Sequence, residues 1–380
     1  MSVKATPAIL AKLRLASLGI IPSTSTCPSP GPVDVVRSLT ALQGQDLPGA
    51  LWSIGLRSPG STRTDIEAAF NGGELVRSWP LRGTLHVCAA EDLGWILSLT
   101  GERMLAAMAG RHRQLEITTA DLQSVRQLAL GLLDNSGGRA SRVELFAAFE
   151  QAGQGTSAQR GIHLLWRLCI QGTLVQGPVS TAVGKGTTQF FVSSQMWIKK
   201  PRNLERDQAL AELALRYFRG HGPATIKDFQ WWSKLTRKDI NTALAQIANQ
   251  LTTLECNGTT YWLAPETAEL AGGRLPGNSS VLLLPGFDEY LLGYTDRSAA
   301  LAPHHAPLTV PGNNGMFKAT IVAGGQVVGT WRKAQGAKRK ERQVAGVVLP
   351  ELFIQISPAQ QKTLAKSAAN YSAFLFGSGA

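Results

Sequence analysis

The sequence predicts an α+β fold: three tandem winged-helix modules followed by a small C-terminal β-barrel. Three observations lead there. A pattern of three helices and then a two-stranded hairpin recurs along the chain as far as Leu263. One of those hairpins turns on Asn257-Gly258, the strongest short signal for a tight β-turn. Beyond the glycine-rich stretch from Gly272 to Gly277, helical spacing gives way to short apolar runs separated by turns, which suggests a small barrel or sandwich.

Residues 1–32 hold a short helix around Ala8 to Leu18 and then a Pro/Ser/Thr stretch, residues 22–32. Its four prolines and lack of apolar period read as a loop or linker. The first module, residues 33–118, opens on the amphipathic run Val33, Val36, Leu39, Leu42, read as a helix from Val33 to Gln45. A short helix near Leu51 to Leu56 and a third from Arg63 to Asn71 follow, with a wing pairing Leu75–Trp79 and Gly83–Val87. In the second module, residues 119–200, Thr119 caps a helix from Ala120 to Leu133. Ser141 and Glu144 make a capping box for Arg142 to Gln151, because each side chain can satisfy the other's backbone N–H. Ser157 to Ile170 is the third helix, and Leu174-Val175 and Gln189–Val192 are strands around a glycine-rich wing tip.

The third module, residues 201–272, is the clearest. Leu210, Leu213, Ala214 and Tyr217 share one face of a helix from Arg206 to Arg219, stopped by Gly220 to Gly222. Thr225 and Asp228 cap a short helix to Trp232. Thr236 to Asn249 turns Ile240, Leu244 and Ile247 inward, and Leu251–Cys256 pairs with Thr259–Leu263. In residues 273–380 the expected strands are Val281–Leu284, Tyr290–Gly293, Phe317–Val322, Gln326–Arg332 and Val344–Phe353. Pro358 starts a helix, Ala359 to Leu375, expected to pack across the barrel.

Composition narrows the function. Apolar residues are 44% and charged residues 17% of the 380, enough for a real core and against global disorder. Lys plus Arg outnumber Asp plus Glu by 38 to 26, a net charge of +12, which favours a polyanionic partner over simple solubility charge. Cys27, Cys88, Cys169 and Cys256 are too far apart for a CxxC or a zinc pattern, and read as thiols in a reducing compartment. No apolar run reaches membrane-spanning length and no signal-peptide core is present, so a cytoplasmic protein is expected.

The chemistry points to Leu42-Gln43-Gly44-Gln45-Asp46. A carboxamide is neither acid nor base at neutral pH. Two of them still offer carbonyl acceptors and amino donors that can hold a water, which suits hydrolysis of an already activated leaving group. The plainer reading is two solvated glutamines at a helix end, since positions i and i+2 do not share a helix face. Three further windows stand out. Arg77 to His86 carries Arg77, Arg82, Trp79 and His86 on a strand–turn–strand, either a wall that meets phosphate or base, or a wing with a satisfied histidine. The spacing of Arg82 and His86 lets them approach across the turn. Asp288, Glu289 and Asp296 with Arg297 are either acid/base groups or an ion-paired loop that ties the barrel to a winged module. Arg332, Lys333, Lys338, Arg339, Lys340 and Arg342 surround Trp331, as a DNA-backbone surface or as a solvated charge run.

No phosphate-binding glycine loop, zinc-protease motif, nucleophile elbow or dinucleotide fingerprint occurs, so no nucleotide cofactor is expected. His304-His305 is a weak metal candidate, and the expectation is no metal and no cofactor.

Five blocks resemble the winged-helix DNA glycosylases of the AlkZ/YcaQ type, in the same order and over about residues 33 to 355: Leu42 to Asp46, Leu51 to Leu56, Arg77 to His86, Phe287 to Tyr294 with Asp296-Arg297, and Val328 to Arg332. The resemblance implies the three winged helices and β-barrel read above, C-shaped around a DNA channel. It implies excision of N-alkylated purines, with some members unhooking interstrand crosslinks or giving self-resistance to a DNA-alkylating antibiotic. The family's catalytic pattern of glutamine, aliphatic residue, then glutamine or aspartate falls on Gln43, position 44 and Gln45. Gly44 departs from it and loosens the backbone there, while the second glutamine places the chain nearer the crosslink or antibiotic branch.

The expected function is therefore a monofunctional hydrolase of N7- or N3-alkylpurine nucleotides. Gln43 and Gln45 orient water at C1′, and Asp46 and His86 are possible assistants. No lysine neighbours the pair, so no lyase step is expected. The partner is double-stranded DNA carrying alkylpurine adducts, gripped by a monomer that associates with the nucleoid when acting. The rivals are a non-enzymatic tandem winged-helix regulator and an inactive protein that sequesters an adduct.

Overall fold

A computed structural model of the chain describes residues 3–21, 29–182, 186–273, 275–334 and 347–376. It is a mixed helix and sheet protein that divides into two compact units. One comprises residues 1–66, 211–232 and 236–380, and the other comprises residues 67–210 and 233–235. No helix among the described residues is long and apolar enough to cross a membrane.

The first unit carries two sheets. In the smaller, Val3–Lys4 runs parallel to Thr252–Cys256, which pairs antiparallel with Thr259–Leu263. Its turn has Asn257 at φ 50° and Gly258 at φ 73°, the two positive angles a two-residue hairpin demands. The helix Pro7–Ser17 packs against the helix Pro265–Glu269. Arg14 from the former is buried, donates to the carbonyls of Pro223 and Asp296, and sits 3.7 Å from the Tyr294 ring. The capping box at Thr225 and Asp228 is present, as is the helix Arg237–Ile247 behind its cap Thr236.

The larger sheet has four antiparallel strands in chain order: Val281–Leu284, Thr320–Ala323, Gln326–Lys333 and Val348–Leu352. Among the described residues no pairing joins the first strand to the last, so the sheet is open rather than a closed barrel. The C-terminal helix Pro358–Phe376 lies on its first strand, with Ser367 Oγ donating to the Val281 carbonyl at 2.7 Å. Tyr371 sits edge-on to both Trp52 and Trp331, each at 4.9 Å.

Two expectations about elements fail here. Tyr290–Gly293 is not a strand: Glu289–Leu292 forms a helical turn, because the Asp288 carboxylate accepts the Tyr290 N–H and caps it. A short apolar run does not distinguish the two states by itself. The first helix ends at Leu39 rather than at Gln45.

In the second unit, hairpin Leu75–Leu81 with Thr84–Ala89 and hairpin Leu174–Ala182 with Gly186–Ser193 join through the pair Arg77 and Gln176. Arg139–Ala140 extends the far edge, giving one antiparallel sheet from what read as separate wings. Helices Thr119–Asn135, Arg142–Gln151 and Arg160–Ile170 bury Val125, Leu145, Phe149 and Leu164 against it. The Ser141–Glu144 box forms as the sequence implies. The cap before it shifts by one residue, to Thr118, because Asp121 completes the box from there. A 22-residue helix, Leu93–Gln114, has no counterpart in the sequence reading. Cys88 and Cys169 are buried free thiols whose ionisation burial pushes well up, as inert core residues.

Candidate active site

The glutamine loop begins with a strained turn. Pro32–Leu39 is a regular helix with Val35, Val36 and Leu39 buried. Thr40 then takes φ 66° and ψ −52°, and the Ala41 N–H donates to the Leu39 carbonyl at 2.7 Å. This is the rarer γ-turn, unfavourable for any residue with a Cβ and more so for a β-branched one. The turn redirects the chain into the two-residue strand Leu42–Gln43. Asp46 then stands at the N-cap position of the helix Leu47–Arg57, its backbone carbonyl accepting the Ala50 N–H, with Pro48 in the first turn.

Gln43 is nearly buried, at 9% exposure, whereas Gln45 and Asp46 are exposed. The two glutamines interlock: the Gln45 backbone N–H donates to Gln43 Oε1 at 2.5 Å. That bond fixes which end of the Gln43 carboxamide is oxygen and turns its amino end away from the Gln45 backbone N–H. The Gln43 backbone N–H in turn donates to Glu289 Oε1 at 3.3 Å.

Glu289 is fully buried beneath the loop. Its Oε2 accepts the Trp232 indole N–H at 3.1 Å and faces His221 Nε2 at 3.2 Å. His221 stacks on Tyr217 at 4.8 Å, and its Nδ1 is buried with no partner among the described residues. A proton on Nε2 serves the carboxylate and leaves only a lone pair unmatched at Nδ1, the cheaper arrangement. The neighbouring Asp288 has a different role. Arg57 Nη1 and Nη2 each donate to it at 2.9 Å, and Ser53 Oγ donates at 2.9 Å. A buried bidentate pair of this kind locks orientation. The carboxylate window therefore ties the larger sheet to the helix Leu47–Arg57 that follows the glutamine loop, through the ion pair of Asp288 with Arg57.

Arg57, His221 and Trp232 were missed from sequence. Arg57 left one signal, a lone cation closing the apolar helix Leu47–Arg57. His221 and Trp232 left none, because their role depends on where Glu289 lands.

The basic residues fall in three places. In the second unit, Arg77 Nη1 donates to the side-chain carbonyls of Gln176 and Gln189, both at 2.8 Å. Arg82 Nη2 lies 3.1 Å from His86 Nε2, so the approach across the turn is present. His86 Nδ1 is 2.8 Å from the Thr84 carbonyl, which fixes its proton there and makes Nε2 the acceptor. His86 is fully buried. Arg332 and Lys333 are exposed on the strand Gln326–Lys333. Lys338, Arg339, Lys340 and Arg342 lie outside the described residues. Among the described residues no group of three or more His, Cys, Asp or Glu is arranged to hold a metal, His304 and His305 included.

The model of the AlkZ-like DNA glycosylase family matches residues 36–374. A curated relative, the interstrand DNA cross-link repair glycosylase of Streptomyces sahachiroi, is 27% identical over 314 residues, covering 80% of this chain and 82% of its own. The solved structure of Streptomyces sahachiroi DNA glycosylase AlkZ superposes with a TM-score of 0.76 at 23% identity, over 98% of this chain and 97% of that one, and shows a shared fold. The match spans both glutamines and the buried carboxylates that support them, and the chain belongs to the AlkZ-like DNA glycosylase family.

Proposed function

We propose that this DNA glycosylase is monofunctional and hydrolyses the N-glycosidic bond of bulky N7- or N3-alkylated purines in double-stranded DNA. Interstrand crosslinks are among its substrates, and self-resistance to a DNA-alkylating antibiotic is its use to the cell. The observation that carries the reading is the interlock of the glutamines, with Gln43 Oε1 held by the Gln45 N–H and Gln43's own N–H held by Glu289.

Alkylation makes the purine a cationic leaving group, so bond breaking runs ahead of water attack. The enzyme's task is to position that water and support the oxocarbenium-like sugar. Exposed Gln45 accepts a hydrogen bond from the water through its side-chain carbonyl. The amino end of Gln43 donates to the water oxygen. Asp46, exposed beside them, offers negative charge to the developing cation. The water's proton passes to solvent, since neither amide is a base. Arg77, Arg82, Arg332 and Lys333 contact DNA phosphates, with the basic run Lys338 to Arg342 extending that contact. The five sequence segments serve as three winged helices, a linker and a barrel-like C-terminal domain, acting as a monomer.

The test is release of free base from a duplex carrying one defined bulky N7-alkylguanine. Free base and an abasic strand are expected, with no strand cleavage by a lyase. Binding without base release would leave the regulator or the sequestering protein in its place, the regulator marked by a preference for one sequence.

A further inference from the structure

Phe287 sits two residues before the carboxylate that holds Gln43, and its backbone is in the left-handed region at φ 63°. An aromatic side chain disfavours that region. The surroundings enforce it. Gly286 packs so closely that a Cβ there would meet the Phe317 carbonyl oxygen at 2.7 Å. Asp288 is clamped by Arg57 and Ser53, and Glu289 by Trp232 and the Gln43 N–H. Pro285, on the other side, lies against Gly49 in the first turn of the helix Leu47–Arg57. The chain thus fixes an ill-suited residue beside the glutamine loop. Its ring is not absorbed into the core: it stays half-buried, tilted against Phe317 at 6.4 Å. Phe317 is itself braced by the Arg297 guanidinium at 5.0 Å.

A glycine at 287 would satisfy this backbone without strain, so the backbone gives no reason for a phenylalanine. We propose that Phe287 is a substrate-contacting residue whose ring stacks on a nucleobase at the lesion, holding the damaged nucleotide while Gln43 and Gln45 place water at its sugar. This inference rests on the glycosylase reading above. The ring supplies a sequence-tolerant apolar face, which suits adducts of varied shape, and the Asp288–Arg57 clamp prevents it from swinging away as the base departs.

The test compares Phe287→Gly, Phe287→Leu and Phe287→Tyr with the native protein on a duplex carrying a bulky N7-alkylguanine flanked by 2-aminopurine. Phe287→Gly is expected to keep or raise the thermal midpoint and to keep affinity for undamaged duplex. Its single-turnover base release should fall roughly 5- to 100-fold, the loss of one aromatic stack. Phe287→Leu should show the same loss with the backbone strain retained, and Phe287→Tyr should restore native rates. The 2-aminopurine emission change on binding should appear with the native and tyrosine proteins and vanish with the other two. Native release and native emission in Phe287→Gly or Phe287→Leu overturn the proposal. If the native protein releases no base, the glycosylase reading fails, and the emission series alone decides whether Phe287 stacks on DNA.

Discussion

Two parts of the first unit redirect the chain sharply by opposite means. The hairpin at Asn257-Gly258 uses two residues that accept positive φ at little cost. The glutamine site is framed instead by Thr40 at φ 66° and Phe287 at φ 63°, neither suited to its backbone. Thr40 also buries a hydroxyl with no partner among the described residues. Strain of about 1–3 kcal/mol per such residue persists only where surroundings over-determine the conformation. Here the buried Asp288–Arg57 and Glu289–Trp232 contacts do so. Of these two regions, the hairpin that only builds the fold is relaxed, and the frame that sets the place of Gln43 and its support is strained.

The largest effect expected on that contrast comes from removing the clamp. Arg57→Ala leaves the Asp288 carboxylate buried and unmatched, and should cost about 3–5 kcal/mol in a denaturant titration. An unchanged midpoint would remove the ion pair from the account. Next, the two turns should respond with opposite signs. Gly258→Ala forces a Cβ into the left-handed region and should destabilise by about 1–2 kcal/mol. Thr40→Gly should stabilise by about 1 kcal/mol while slowing base release, because the loop relaxes. A Thr40→Gly protein that is less stable and fully active would erase the distinction.

The second unit supplies a smaller, pH-based comparison. Burial, then the charges of Arg167 and His163, hold the His112 imidazole down to about 4. Below the ordinary histidine value near 6.5, the unfolded chain binds a proton that the folded one refuses. The His112 contribution to stability should therefore fall as pH drops from about 6.5 to about 4 and level off below, where both states are protonated. His112→Phe should flatten that part of the profile, read by thermal midpoint against pH. A profile identical to native would assign the acid sensitivity elsewhere.

What could be read from the sequence followed locality. The Asn257-Gly258 hairpin and the boxes at Ser141–Glu144 and Thr225–Asp228 were legible because each is closed by residues three positions apart or fewer. The end of the first helix at Leu39 was not, since the amphipathic run continues past it and the break depends on Thr40's tertiary surroundings. The Glu289–Leu292 turn was hidden in an apolar run that fits a strand equally well. Of the site, Gln43 and Gln45 were marked by pattern, but their interlock and its buried base were not. His221 and Glu289 are 68 residues apart and Gln43 and Glu289 are 246 apart, and no local rule brings them together.

Gln45 is proposed to place the attacking water without contributing to DNA affinity. The most direct test is single-turnover base release by Gln45→Ala on a duplex carrying a defined N7-alkylguanine, with DNA affinity measured beside it. The account predicts a rate lower by about 10²-fold or more at unchanged affinity, because the lost contact acts in the transition state. A native rate, or a rate loss matched by an equal loss of affinity, would contradict it.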